Sequence, residues 1–322
     1  MSPSGETGRN MADITGTESA NTLTGTASAD TIKGLGGNDI VYGKAGDDLI
    51  LGGAGHDTLY GDAGTDTIKG DAGNDVIKGG TGKAFLYGGD GNDSVFYNPT
   101  ASNLADVGSY LSPTIIKGEA GTDTINVFND AKVTVDGKQV ASMTDAYMGD
   151  GGIMYMKFTE KNWDYDSPIS DVGKASGFET IKFFGAGGVN FQSAFSGAPD
   201  LTVEGTAAAD KFFSYYGSDT FKGGAGNDEF HLGGGTDKVI SETNDADSFY
   251  FGGWGEGNAT VTGVNGAGVL AGDKFYFDPY YLSNPDSQVT EVGGSTIFTM
   301  NTGETLTLVG ATGLIEGVDW FV

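Results

Sequence analysis

GTESANTLT, GTASADTIK, GLGGNDIVY, GKAGDDLIL, GGAGHDTLY, GDAGTDTIK, GDAGNDVIK, GGTGKAFLY and GGDGNDSVF follow one another without a gap from Gly16 to Phe96, nine repeats of nine residues. The eighth position is always aliphatic, at Leu23, Ile32, Val41, Ile50, Leu59, Ile68, Ile77, Leu86 and Val95. The sixth is aspartate at Asp30, Asp39, Asp48, Asp57, Asp66, Asp75 and Asp93, with Asn21 and Ala84 as the exceptions. One apolar residue in nine cannot build a core within its own repeat, so each unit must stack on its neighbours, which is the logic of a solenoid. The last three residues, such as TIK or IVY, suit a short strand with one face inward. The first six suit a turn. Glycines at positions one, two and four allow positive φ and let carbonyl oxygens converge, and the aspartate adds a carboxylate at the same point. An isolated Gly-x-Gly-x-Asp is ordinarily a turn closed by its own aspartate; a phased array of nine repeats argues against that reading.

The array resembles the RTX, or hemolysin-type calcium-binding, repeat of secreted bacterial proteins, Gly-Gly-x-Gly-x-Asp-x-(aliphatic)-x. The resemblance implies an all-β fold, a right-handed parallel β-roll or β-solenoid with calcium-bound turns, in which two nonapeptides make one coil. Repeats n and n+2 then hold a Ca²⁺ ion between them. The implied ligands are the carbonyls of the second and fourth residues plus the Asp of one repeat, with the carbonyls of the first and third residues plus the Asp of the repeat above. One site would take Leu35, Gly37 and Asp39 with Gly52, Ala54 and Asp57; the next, Gly53, Gly55 and Asp57 with Gly70, Ala72 and Asp75. The same resemblance carries over to Gly43, Ala45, Gly46 and Asp48, to Gly61, Ala63 and Asp66, and to Gly73, Gly88, Asp90 and Asp93, with Asp30 at the start. Ligation by oxygen alone favours Ca²⁺ over Mg²⁺ and disfavours zinc. Ala84 marks the place where the pairing should weaken.

The 322 residues include 57 Gly and no Cys, so an elongated repeat protein is favoured and no disulfide or thiol chemistry is available. With 44 acidic against 17 basic residues the net charge is -27, and Arg9 is the only arginine. Nucleic-acid and phosphate binding, which need clustered cations, are not expected. So acidic a chain repels itself when compact. About eight bound calcium ions would cancel over half of the excess, at two to three carboxylates per ion. The expectation is a mostly disordered apo chain that folds on meeting calcium. MSPSGETGRNMADITG has no apolar signal core, and no stretch reaches the length of a membrane span, so classical export and membrane insertion are not expected.

Past Phe96 the phase breaks at YNPTASNLADVG, an insertion carrying Pro99; SYLSPTIIK then keeps Ile116, and GEAGTDTIN restores Asp123 and Ile125. VTVDGKQV reads as a hairpin about Asp136 and Gly137, GGIMYMKF as a buried strand and NWDYDSP as a polar aromatic loop. KASGFETIK and SGAPDLTVE show a weaker phase with Glu179, Ile181 and Val203. A second block follows with Asp210, Asp219, Asp228 and Asp237, and, after a one-residue slip, Asp247; its implied calcium ligands include Gly223, Ala225, Gly226 and Gly234. The expected organisation is a flexible N-terminus (1–15), a first block (16–126) with an insertion near 97–117, an irregular β middle (127–204), a second block (205–250) and a C-terminal β segment (251–322). One long solenoid is the simplest arrangement, with two rolls joined by a globular insert as the alternative. The tail has a turn at Gly303 and ends Asp319, Trp320, Phe321, Val322, which resembles the C-terminal region of type I secreted RTX proteins and implies the type I secretion machinery as a partner.

No enzyme is expected. His56 and His231 are the only histidines, so no HExxH zinc motif exists; both read as surface or packing residues, and no G-x-S-x-G elbow occurs. Carboxylates abound, but many sit at repeat turns. Phe212, Phe213, Tyr215 and Tyr216 read as core and edge packing. The leading expectation is a secreted or cell-surface calcium-binding structural protein, with a calcium-dependent homo-oligomer or polymer available through open strand edges. The rival is a carbohydrate-binding or carbohydrate-processing protein, in which Trp163, Asp164, Tyr165 and Asp166 would meet a surface polysaccharide.

Overall fold

The computed structural model describes residues 11–97, 114–129, 132–135, 138–141, 143–149, 153–159, 173–193, 200–242, 245–252, 257–264, 272–278, 289–301, 303–314 and 320–321. Every regular element is a strand, and the described residues contain no helix. The chain forms a β-solenoid of parallel sheets and divides into two units, Met1–Asn126 with Gly173–Phe178, and Val127–Val172 with Glu179–Val322.

In the first unit, alternate repeats enter alternate sheets. Asp13–Thr15, Thr31–Gly36, Leu49–Ala54, Asp66–Ala72, Ala84–Asp90, Thr114–Ala120 and Gly173–Ser176 form one parallel sheet. Thr22–Thr24, Ile40–Tyr42, Thr58–Tyr60, Val76–Lys78 and Ser94–Tyr97, followed by the strand that begins at Thr124, form the other. The register step is two repeats: Ile32 lies opposite Ile50, Ile50 opposite Ile68, and Ile68 opposite Leu86. These residues and Val41, Leu59, Ile77 and Val95 are fully buried, so the eighth positions of both sheets make one apolar column. Burying such a side chain contributes about 2 kcal/mol. Leu86 pairs next with Ile116, thirty residues on rather than eighteen. The chain therefore absorbs twelve extra residues after Tyr97 and resumes in register; the residues around Pro99 lie outside those described.

The second unit repeats the plan with a different filling. Val189–Ser193, Lys211–Ser214, Glu229–Leu232, Ser248–Phe251, Lys274–Phe277 and Trp320–Phe321 pair in parallel order, as do Thr180–Gly185, Thr202–Glu204, Thr220–Lys222, Gly235–Ile240, Gly257–Thr262 and Thr305–Val309. In the first of these sheets phenylalanine replaces the aliphatic residue, while the other keeps Ile181, Val203, Val239 and Val261. Phe212, Phe230, Phe249 and Phe275 stack at centroid spacings of 5.1, 5.1 and 4.9 Å and are fully buried. On the outer side of the same strands Phe213, His231, Tyr250 and Tyr276 stack at 4.3, 4.4 and 4.7 Å. Parallel in-register pairing brings identical positions within stacking distance on every coil. Phe212 is thus core as expected, and Phe213 lies on the outer face of the strand.

Lys132–Val135 and Lys138–Ala141 form the expected antiparallel hairpin. Ile153–Thr159 is a strand antiparallel to Met143–Gly149, which itself runs parallel to Val189–Ser193. Ser295–Thr299 turns back on Thr305–Val309, with Gly303 at φ 102° and its N–H donating to the Met300 carbonyl at 3.1 Å. Trp320 packs edge-on against Phe298 and Phe277. Trp163, Asp164, Tyr165, Asp166, Asp319 and Val322 lie outside the described residues.

Candidate calcium-binding corners

The sixth-position aspartates are the most deeply buried charged groups of the repeats: Asp30, Asp39, Asp48, Asp57, Asp66, Asp75, Asp93 and Asp123 are at most 2% exposed. Each carboxylate links two coils. Oδ1 of Asp48, Asp57, Asp66, Asp75 and Asp93 accepts the backbone N–H of Asp30, Asp39, Asp48, Asp57 and Asp75 respectively, at 2.7–3.0 Å. Asp93 N–H continues the ladder to Asp123 Oδ1 across the insertion. In the second unit Asp210, Asp219 and Asp228 donate in the same way to Asp228, Asp237 and Asp247. Asp247 N–H donates to Asp273 Oδ1 at 2.9 Å. Asp273 thereby extends the ladder past residue 250, the expected end of the second block. Its signal was the Asp-Lys-Phe of residues 273–275, which repeats the Asp-x-aromatic order of Asp228 and Phe230.

The second oxygen has no such partner. Oδ2 of Asp39, Asp48, Asp57, Asp66, Asp75, Asp93, Asp228 and Asp237 is buried and accepts no hydrogen bond among the described residues. A buried carboxylate oxygen left unpaired is costly unless a cation meets it. Beside it lies a carbonyl: a methyl built on Gly43 would stand 2.6 Å from Asp48 Oδ2 and 2.7 Å from the Gly61 carbonyl, and one on Gly61 would stand 2.6 Å from both Asp66 Oδ2 and the Gly79 carbonyl. At Gly34, Gly52, Gly70 and Gly88 the corresponding pairs are Asp39 with Gly52, Asp57 with Gly70, Asp75 with Gly88, and Asp93 with Gly118. Gly205 faces Asp210 and the Gly223 carbonyl. The first-position glycine is therefore required for space, not for positive φ as the sequence suggested; positive φ falls on positions two and four.

Those left-handed residues aim further carbonyls along the stack. Leu35, Lys44, Asp62, Asp71 and Glu119 at position two have φ of 68–83° without being glycine, a strained conformation that needs local compensation. Leu35 O faces Gly53, and Gly37 O faces Gly55, leaving no room for a Cβ at either glycine. Gly46 and Gly73, also at position four, have φ of 119° and 133°, and Gly226 has 127°. The third-position carbonyls of Ala63, Ala72 and Asp90 are engaged in the backbone ladder, accepting from Gly46, Gly55 and Gly73 N–H at 3.0, 2.8 and 2.7 Å. Ala45 pairs with Ala63 as an isolated bridge, and Ala54 pairs with Ala72 in the sheet. In the second unit Ala225 lies in the turn after Gly223 and Gly224, and Gly234 donates to the Tyr215 carbonyl.

The fifth position carries a ladder that sequence reading left unassigned. Asn38 Oδ1 accepts from His56 N–H, His56 Nδ1 from Asn74 N–H, Asn74 Oδ1 from Asn92 N–H, and Asn92 Oδ1 from Thr122 N–H. His56 occupies an asparagine's place in this ladder. His231 bonds Glu229 at 2.6 Å within its aromatic stack. His56 is thus a surface hydrogen-bonding residue and His231 a packing one.

Burial sets the electrostatics. It pushes the carboxyl of Asp48 up to about 6 and those of Asp66 and Asp75 to about 7, against the opposing pull of the backbone N–H each accepts, and with the charge of neighbouring ladder aspartates adding to the rise. Burial likewise lifts Asp228 to about 8 and Asp237 to about 7. Each folded-state value lies above the unfolded value near 4, so the metal-free fold binds extra protons; this contribution is fully present below pH 4 and is lost as pH rises through 6 to 8. In chelator the β signal should therefore strengthen on going from pH 8 to pH 5. Calcium affinity should fall over the same interval, because the ion competes with those protons. Titrations of far-UV circular dichroism at the two pH values check both signs, and a metal-free fold more stable at pH 8 would contradict the burial argument.

Ala84 interrupts one column. Asp66 N–H, lacking a carboxylate above it, donates to the Lys83 carbonyl at 3.1 Å, and the strand pairing extends to Asp66 opposite Ala84. Ala84→Asp should restore the ladder and add about one bound ion; ion counting by calorimetry checks this, with an unchanged count as the contrary result.

The donor set consists of carboxylate and carbonyl oxygen, with no thiolate or imidazole, which fits a hard cation of flexible coordination. Asp245, Asp247 and Asp273 add a place where three carboxylate oxygens lie within 4.8 Å of one another. The model of the RTX calcium-binding nonapeptide repeat (4 copies) matches residues 15–50, 34–68, 42–77, 51–86, 69–98 and 204–239. No curated protein matches the chain. The matched segments contain the eight aspartates named above whose buried Oδ2 lacks a partner, and the chain carries RTX calcium-binding nonapeptide repeats.

Proposed function

We propose that this is an extracellular structural protein that folds on calcium after leaving the cell through the type I secretion machinery and then associates with copies of itself. The observation that carries the reading is the stack of buried, unpartnered Asp Oδ2 atoms in a chain of net charge -27. Such a chain is best kept extended where calcium is scarce and compact where it is abundant. RTX repeats are typical of secreted proteins, and no helix among the described residues is long and apolar enough to cross a membrane. Association is supported by the first coil. Asp13–Thr15 and Thr22–Thr24 pair on one side only among the described strands, and Ile14 and Leu23 are half-buried where the residues stacked on them, Ile32 and Val41, are fully buried. An uncovered strand edge with a partly exposed core is a template for another chain.

Electron microscopy and sedimentation at millimolar calcium should show oligomers or filaments that disperse in chelator. Ile14→Lys with Leu23→Lys should abolish them while leaving the calcium-induced circular dichroism intact. Monomers alone at millimolar calcium would sink the assembly reading.

A further inference from the structure

Four described ladder carboxylates, those of Asp30, Asp210, Asp219 and Asp247, have the oxygen that their neighbours leave bare already bound; at Asp247, which also neighbours Asp245 and Asp273, the donor is the Ser241 hydroxyl at 2.7 Å. Asp30 Oδ2 accepts Thr26 N–H, and the Thr26 hydroxyl donates to Asp30 Oδ1 at 3.1 Å. Asp210 Oδ2 accepts Thr206 N–H at 2.6 Å, and the Thr206 hydroxyl lies 3.1 and 3.3 Å from the two oxygens. Asp219 Oδ2 accepts the Ser193 and Ser214 hydroxyls at 3.0 and 3.1 Å. All four aspartates are as deeply buried as the others.

The cause is local. At Leu35, Lys44, Asp62, Asp71 and Gly224, position two has positive φ; Thr26 and Thr206 at the same position do not, and their N–H groups donate to their own aspartate. At Asp219 the difference lies at position one. The first-position column that reads Gly34, Gly52, Gly70 and Gly88 in the first unit reads Ser193, Ser214, Leu232 and Phe251 in the second, where Leu232 pairs with Ser214 and Phe251 with Leu232. Side chains fill the space that glycine leaves open.

We propose that Thr26, Thr206 and the Ser193–Ser214 pair take the place of calcium, so that the corners of Asp30, Asp210 and Asp219 hold without metal while those from Asp39 to Asp93 require it. The proposal rests on the reading that the chain binds calcium. A cation entering a closed corner would have to displace two or more charge-assisted hydrogen bonds. Two of the closed corners carry the first ladder aspartate of their blocks, Asp30 and Asp210, which gives each calcium-dependent stack a metal-independent coil to build on.

Amide hydrogen exchange of the full chain, in millimolar calcium and in EGTA, tests it. The N–H groups of Val189 and Leu201, which donate to Asp210 and Asp219, should change protection by less than about tenfold on chelation, while those of Asp39, Asp57 and Asp75 lose about a hundredfold or more. Equal losses at both sets would overturn the proposal. No change at any ladder amide would overturn calcium binding itself, and this proposal with it. Thr206→Gly, which recreates the open pattern, should bind about one additional ion and make Val189 protection calcium-dependent; an unchanged ion count with unchanged protection would also overturn it.

Discussion

Chelation should disorder the first-unit stack from Asp39 to Asp93, while the closed corners hold. In the first unit six buried carboxylate oxygens from Asp39 to Asp93 have no protein partner, and burial already drives the carboxyls of Asp66 and Asp75 to about 7. At neutral pH without metal, each corner must either hold an uncompensated charge or take up a proton, and both choices destabilise the fold. Among the described residues no side chain donates to these oxygens, and Lys44, Lys69, Lys78 and Lys117 lie over tyrosine or phenylalanine rings on the outer faces. The corners also supply many of the interactions that join one coil to the next, so their loss spreads along the stack. Far-UV circular dichroism in EGTA should lose the β signal of that stack, light scattering should show expansion, and both should reverse on adding calcium. A β spectrum indifferent to EGTA would refute the account.

The second large effect comes from one methyl group. In Gly61→Ala the new Cβ would stand 2.6 Å from Asp66 Oδ2 and from the Gly79 carbonyl, closer than real Cβ atoms approach such atoms. The oxygens converging on the corner must separate, and the backbone carbonyl cannot yield as a side-chain tip would. A loss of about 3 kcal/mol or more in calcium is expected, in the range of overpacked buried sites. Gly79 is the control. It holds the same position one coil on, but Ala84 stands where the aspartate would be, and a methyl there meets only Ala84 Cβ at 3.0 Å and Leu86 Cδ1 at 3.3 Å. Gly79→Ala should change stability by less than about 1 kcal/mol, with the reduced freedom of the unfolded chain offsetting a small strain. Thermal melts of both variants in calcium and in chelator separate the causes. The Gly61 penalty should shrink without metal, whereas equal penalties for the two variants would contradict the role given to the corner oxygens.

The period of nine made the stacked core legible, because pairing two repeats apart places Ile32 against Ile50 without any further information. The carboxylate ladder was equally legible for as long as the phase held. Asp273 escaped because its step from Asp247 is 26 residues, and a longer connection hides the register from any fixed period. The Asp219 corner escaped for a different reason: Ser193 and Asp219 are also 26 residues apart, and a hydroxyl's partner across coils is decided by the fold and not by spacing. Position two was read as a glycine position, yet Leu35, Lys44, Asp62 and Asp71 adopt its left-handed backbone. The cost of that conformation is met by the stack, which single-residue preferences do not register.

The register that survives twelve extra residues between Leu86 and Ile116 makes the corner after Tyr97 a splice point. Neighbouring coils are joined by pairing across the stack, which keeps its register here, and lengthening a loop costs only logarithmically. A foreign peptide, or a domain whose ends lie close together, can be carried there as cargo while the coils on either side keep their pairing.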